Sequence, residues 1–271
     1  MSTTSVNETG HSKNVANLFK YNLFLNTLGS SYNPTNTNIT TSAITTLYTN
    51  ADAKVNGTNT AFTTWKESTN QREIIFKELK KLSTKLLGAL QSTGTAQQTI
   101  DDFAFLVKKF RGSTKKKTTT SSTGRLAQPS TPTTDPAPSD TPPPADPLAS
   151  SGSSTSQQSF DNRIQHFSKM ILLLQGQPVY IPNETDFQIP SLQTKLTTIT
   201  NLNNTANTSY ANLKASRIDR NTFLYASDTG MLDIIKQSKA YIKSVYGADS
   251  QQYHTANAIK FTRVIQKNKA N

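Results

Sequence analysis

The chain has 271 residues, 34% of them apolar and 17% charged, with a formal net charge of +12 and no cysteine. That length allows one large domain or two ordinary ones, each able to bury a core. The missing cysteine excludes disulfides and thiolate metal or redox sites. The start, Met1-Ser2-Thr3-Thr4-Ser5-Val6-Asn7-Glu8, lacks the basic and apolar regions of a secretion signal. The best apolar run, Met170 to Leu174, is far below the roughly 18 residues of a membrane span. A soluble, cytoplasmic protein is the expectation, with export by a non-classical route left open.

The first element is helical. Val15, Leu18, Phe19, Asn22 and Leu25 recur at helical spacing, and Gly29 is a suitable stop. An extended turn around Tyr32-Asn33-Pro34 follows. Ile44, Tyr48, Ala51, Val55, Phe62 and Trp65 then open a long amphipathic run, which continues through Ile75, Leu79, Leu82, Leu86 and Leu90 to Gly94. A short helix over Ile100 to Phe110 closes the segment.

Residues 113 to 157 hold eight of the twelve prolines and no aromatic residue, the rest being mainly Ser, Thr, Ala and Asp. Such a stretch cannot bury enough surface to offset its ordering entropy and is predicted to be a disordered linker. Pro142-Pro143-Pro144 stiffens it locally.

Beyond the linker the pattern returns at a constant offset of 148. Phe19 pairs with Phe167, Tyr32-Asn33-Pro34 with Tyr180-Ile181-Pro182, Lys66 with Lys214, and Arg72 with Arg220. Trp65 pairs conservatively with Leu213. The second run breaks at Gly230, resumes with Ile234, Ile235, Ile242 and Val245, and ends in a helix expected over Gln252 to Ile265. Strand-like alternation is absent. The expected fold is all-α: two homologous helical-bundle repeats, 1–112 and 158–271, joined by a disordered Pro/Thr/Ser-rich linker, 113–157.

The stretches Asn7 to Asn17, Tyr241 to Ala248 and Lys260-Phe261-Thr262 resemble a group of uncharacterised helical proteins from Bacteroidota-type bacteria. The resemblance covers both repeats and implies the architecture, with no activity attached to it.

The chemical inventory argues against an enzyme. His11, His166 and His254 sit in unlike contexts, and no His-x-x-x-His or Glu-x-x-His spacing occurs. Glu67, Glu73 and Glu78 interleave with Lys66, Lys77, Lys80 and Lys81 as on a solvated helix face. No phosphate-binding glycine loop, nucleophile elbow or dinucleotide fingerprint is present. No cofactor and no metal site are expected. Arg72 and Arg220 could form an anion contact duplicated by symmetry, but the favoured reading is structural, with stems over the core and heads bonded to a carboxylate or helix end.

Charge is what suggests a partner. Twelve cations stand against seven anions before Gly112, four against three in the linker, and thirteen against seven after it. Two concentrations occur at equivalent ends of the repeats: Lys108, Lys109, Arg111, Lys115, Lys116 and Lys117, and then Lys260 and Arg263 with Lys267 and Lys269. These are candidate nucleic-acid or anion contacts. The leading reading is a non-catalytic structural or interaction protein with an unknown protein partner or self-association. The alternatives are nonspecific phosphate binding on nucleic acid, and a helical protein acting at a membrane surface. Limited proteolysis should cut first between residues 113 and 157; early cuts spread evenly over the helical segments would contradict the linker assignment.

Overall fold

The computed structural model describes residues 5–112 and 159–264, with side chains from residue 10. The linker expectation at 113–157 lies outside the described residues. Helix makes up 82% of those described, and no strand occurs among them. The α-helices are α1 (Ser5–Leu28), α2 (Thr41–Gln91), α3 (Gln97–Arg111), α4 (Phe160–Gln175), α5 (Ile189–Tyr225), α6 (Met231–Tyr246) and α7 (Gln251–Ala258).

The helix punctuation has local causes. Gly29 and Gly94 follow α1 and α2 with φ of 56° and 78°, a region L-residues rarely enter. Gly230 caps α6, and a Cβ there would lie 2.5 Å from the Ala226 carbonyl oxygen. A side chain at this position would collide with the backbone that follows α5, so the connection between α5 and α6 calls for glycine. The threonine-rich helices α2 and α5 are lined with side-chain bonds back onto their own main chain. Thr45, Thr49, Thr60, Thr64, Thr194 and Thr198 each donate their hydroxyl to the carbonyl four residues earlier. Each hydroxyl thus shares a carbonyl that already accepts a helical N–H, so it is satisfied inside the helix without adding to helix stability.

The packing units are not the two repeats expected at 1–112 and 158–271. One unit comprises Met1–Arg72 with Asn204–Asn271, and the other Glu73–Asn203. The physical reason is helix length. At 51 and 37 residues, α2 and α5 each outrun one bundle, and each gives one part to each unit.

The first unit packs Val15, Leu18, Tyr21 and Leu25 of α1 against Ile44, Ala51 and Val55 of α2. Leu224 of α5 and Met231, Ile235 and Ile242 of α6 complete this core. Its centre is polar: Ser238, fully buried, is bonded by both the Tyr21 and the Tyr32 hydroxyls at 2.7 Å. Tyr32 donates its one hydroxyl proton to the Ile39 carbonyl at 2.6 Å and so accepts from Ser238.

Where Phe19 was expected on the inward stripe, the structure leaves it 44% exposed, against the ring of Tyr48. Tyr21, with its hydroxyl anchored on Ser238, turns inward instead. Phe19 and Phe167 therefore do not occupy matching places, since Phe167 is fully buried. The buried faces of α1 and α4 correspond at an offset of 149, as Leu18 to Phe167, Tyr21 to Met170, and Leu25 to Leu174. The offset returns to 148 at Tyr32 and Tyr180, because the second connection is one residue shorter.

The second unit packs Phe76, Leu79, Leu86 and Leu90 of α2 with Phe103, Val107 and Phe110 of α3. Met170 and Leu174 of α4 and Leu192 and Ile199 of α5 complete it. Phe110 links the rings of Phe76 and Phe167 at 6.2 and 5.7 Å between centroids. Tyr180 donates to the Phe187 carbonyl at 3.0 Å, seven residues on, as Tyr32 does to Ile39.

The last helix is shorter than expected: α7 ends at Ala258, and residues 259–264 are neither helix nor strand. Asn14 of α1 holds the main chain of Thr262 through both its N–H and its C=O, which a helix there would keep for itself.

Tyr32→Phe should lower the stability of the first unit by roughly 1–3 kcal/mol, because it strands a buried carbonyl and a buried hydroxyl. Tyr180→Phe, which loses one bond, should cost less. Urea unfolding of the two variants checks the order, and equal costs would contradict it.

Candidate functional site: a basic cleft

Two helices of the second unit create a cleft of one charge sign. Leu79, Ser83 and Leu86 commit one face of α2 to the core, and Phe103, Val107 and Phe110 do the same for α3. Helical spacing then sets Lys80, Lys81, Thr84 and Lys85 on the flank of α2 facing Lys108 and Arg111 of α3. Between them lies an open cleft of about 760 Å³, floored by Leu87, Ala104 and Val107. No carboxylate is among the described residues that line it.

Arg111 is braced by donating from its guanidinium to the Thr84 hydroxyl at 3.1 Å. The Lys80 ammonium is held below the ordinary lysine value, first by burial and then by the positive charges of Arg163 and Arg111. Burial likewise lowers Arg163. His166, one turn further along α4, is lowered by burial and by Lys169 and Lys109. Burial is the leading cause of all three shifts, and at Lys80 and His166 neighbouring positive charge adds to it. Lys109 itself stacks over Phe105 at 5.3 Å.

A smaller cleft of about 280 Å³ in the same unit has mixed charge. Glu78 and Asp186 line it with Lys81, Lys85 and Lys195, and Lys195 pairs with Asp186 at 3.1 Å. Lys81 and Lys85 line both clefts, while Lys80, Lys108 and Arg111 line the basic one alone.

The structure therefore brings Lys108 and Arg111 of the expected basic segment together with three lysines not assigned to it, Lys80, Lys81 and Lys85. Their alternation with Glu73 and Glu78 reads as a solvated helix face, and only the approach of α3 reveals the cleft. Lys115, Lys116 and Lys117 lie outside the described residues. Lys260 and Arg263 belong to the first unit: Asn17 bonds the Lys260 carbonyl at 2.6 Å, and the Arg263 guanidinium lies over the Tyr225 ring at 6.0 Å.

The remaining repeat-equivalent residues also sit in the first unit. Trp65 is half-buried between Phe62 and Tyr210, at 5.8 and 5.6 Å, while Leu213 is fully buried. Lys66 and Lys214 cover these rings, at 5.1 Å from Trp65 and 4.5 Å from Tyr210. Arg220 is fully buried and donates from two of its nitrogens to the Asn221 side-chain oxygen, whereas Arg72 is half-buried.

Most of the polar chemistry in the first unit is hydrogen-bonded within it. Tyr225 is raised by burial, and its hydroxyl contacts His11 Nδ1 at 2.7 Å and accepts from Asn14 at 3.1 Å. Among the described residues, no group of three His, Cys, Asp or Glu side chains is placed to hold a metal ion. None of the described helices is long and apolar enough to cross a membrane. No family model, curated protein or solved structure matches this chain.

Lys239 offers a titration test. Its ammonium donates to the Ile259 carbonyl at 2.6 Å and faces the rings of Phe261 and Tyr21. Burial, reinforced by Lys260, lowers it to about 8. Between that value and the ordinary lysine range the unfolded chain holds a proton that the folded chain has released. Stability contributed by this group therefore rises as the pH increases through that window. NMR of the reductively methylated protein should show the Lys239 signal titrating near 8; titration at the ordinary lysine value would contradict this environment.

Proposed function

We propose that the chain is a non-catalytic interaction protein that docks a polyanionic partner in the cleft of Lys80, Lys81, Lys85, Lys108 and Arg111. The cleft is the observation that carries this reading: five cations line it without a carboxylate. Gathering such charges raises the free energy of the empty site, since unit charges about 4 Å apart repel by about 1 kcal/mol in water and more in partial burial. An anionic partner relieves that repulsion and releases counterions. The cleft cations carry charge to an anionic partner, and the hydrogen-bonding groups His11, Tyr21, Tyr32, Asn14 and Tyr225 bond to one another and to main chain within the first unit. Binding fits this distribution better than catalysis.

Phosphates on nucleic acid are the second reading, supported by the position of Lys108 and Arg111 in the cleft. Its floor is aliphatic, which suits backbone phosphates and offers no ring for stacking a base. An acidic protein surface fits the same floor and stays in front.

An ancient duplication underlies the architecture. The 3-10 turns Thr37–Ile39 and Thr185–Phe187 and the starts of α2 and α5 are each 148 residues apart. The tyrosine-to-carbonyl bonds of Tyr32 and Tyr180 repeat at that same interval. Because each compact unit takes residues from both copies, the pair is best understood as an internal pseudo-dimer.

Changing the five cleft cations to Gln should leave helix content unchanged, since Gln forms helices nearly as well. Wild-type chain should bind polyglutamate at low salt, and the variant should lose most of that binding. On duplex DNA each phosphate contacted contributes a salt slope of about −0.9, so the variant should also flatten any such slope. Unchanged binding of both ligands in the folded variant would refute the cleft as the docking face.

A further inference from the structure

Beyond α7, residues 259–264 of the first unit are held as a peptide is held in a receptor groove. The Asn14 side chain donates to the Thr262 carbonyl at 2.7 Å and accepts from its N–H at 3.0 Å. This is the two-point pairing that a neighbouring strand would make. One turn further along α1, Asn17 donates to the Lys260 carbonyl at 2.6 Å. Lys239 of α6 takes the Ile259 carbonyl, also at 2.6 Å.

The side chains supply selectivity. Phe261 stands edge-on to Tyr21 at 6.3 Å, and the Lys239 ammonium covers its ring at 5.3 Å. Val264 fills a gap that exists because residue 10 is glycine; a Cβ there would lie 2.9 Å from its Cγ2. The Tyr225 hydroxyl, which His11 and Asn14 contact, belongs to the same wall, with the Arg263 guanidinium over its ring at 6.0 Å. Main-chain bonds that give affinity, joined to pockets for a few side chains, are how extended peptides are recognised.

We infer that the groove of Gly10, Asn14, Asn17, Tyr21 and Lys239 is a peptide-docking site, filled in cis by residues 259–264, and that the same segment of a second copy is its trans occupant. The groove reads main chain at Ile259, Lys260 and Thr262, and those groups are the same whichever copy supplies them. A segment that follows an eight-residue helix and has no helix or strand of its own can leave one groove and enter another with every contact conserved. The cis segment competes at an effective concentration in the millimolar range, so the unaltered chain keeps its own groove filled until copies are abundant. This inference is independent of the basic cleft, which lies in the other unit.

A mixing experiment with full-length chains tests it. Asn14→Ala damages the groove and leaves the tail intact; Phe261→Ala damages the tail and leaves the groove intact. Each variant, checked for unchanged helix content, should sediment alone as a monomer. Their mixture should form a one-to-one complex, in which the tail of the Asn14→Ala chain sits in the groove of the Phe261→Ala chain. A mixture that sediments as its separate components would overturn the inference. If either variant fails to fold, a labelled peptide of residues 259–271 titrated into the wild-type chain decides instead. Saturable uptake that weakens at least tenfold when the peptide carries Phe261→Ala supports the groove, and no uptake at millimolar peptide overturns it.

Discussion

Everything else in the molecule depends on the beginning and end of the chain sharing one core. Leu18, Tyr21 and Leu25 near the start bury themselves against Leu224, Met231, Ile235 and Ile242 near the end. Ser238 bonds the hydroxyls of both Tyr21 and Tyr32 in the middle of that contact. Asn14 and Thr262, 248 residues apart in sequence, are joined by two hydrogen bonds. Neither part of the chain could bury its apolar face without the other. A modest apolar fraction is enough because two sequence-distant stretches contribute to each core.

The same constraint creates the second unit and its cleft. The parts of α2 and α5 outside the first unit need other partners, and α3 and α4 supply them. Phe110 is the pivot: its ring bridges Phe76 and Phe167 and so fixes α3 along α2. That placement sets Lys108 and Arg111 beside Lys80, Lys81 and Lys85. Apolar packing on the opposite faces turns these side chains outward, where Lys81, Lys85, Lys108 and Arg111 are exposed around the cleft.

Much of the fold was legible in the sequence where a local signal carried it. Helical spacing marked the helices, Gly94 and Gly230 marked their limits, and the absence of strand alternation is matched by the absence of strands among the described residues. What failed to show were choices made by distant partners. Phe19 fits the stripe of α1 as well as Tyr21 by spacing alone, and only Ser238 on α6 decides which turns inward. The end of α7 has no helix breaker; Asn14, far away in sequence, extracts the backbone at Thr262. Lys80, Lys81 and Lys85 alternate with glutamates like an ordinary wet face, and their common charge matters only once α3 arrives. The constant offset pairs Arg72 with Arg220, yet one is half-buried and the other fully buried, because paired positions in the sequence meet unlike neighbours.

The composition of each unit can be tested directly by cutting the chain once between residues 113 and 157 and asking whether the two pieces stay together. Since the first unit needs residues 1–72 and 204–271, and the second joins residues from both sides of the cut, the fragments should co-elute as one species by native size exclusion. They should part only in denaturant. Fragments that separate under native conditions, each keeping its helix content, would show two independently folded repeats and contradict the shared cores.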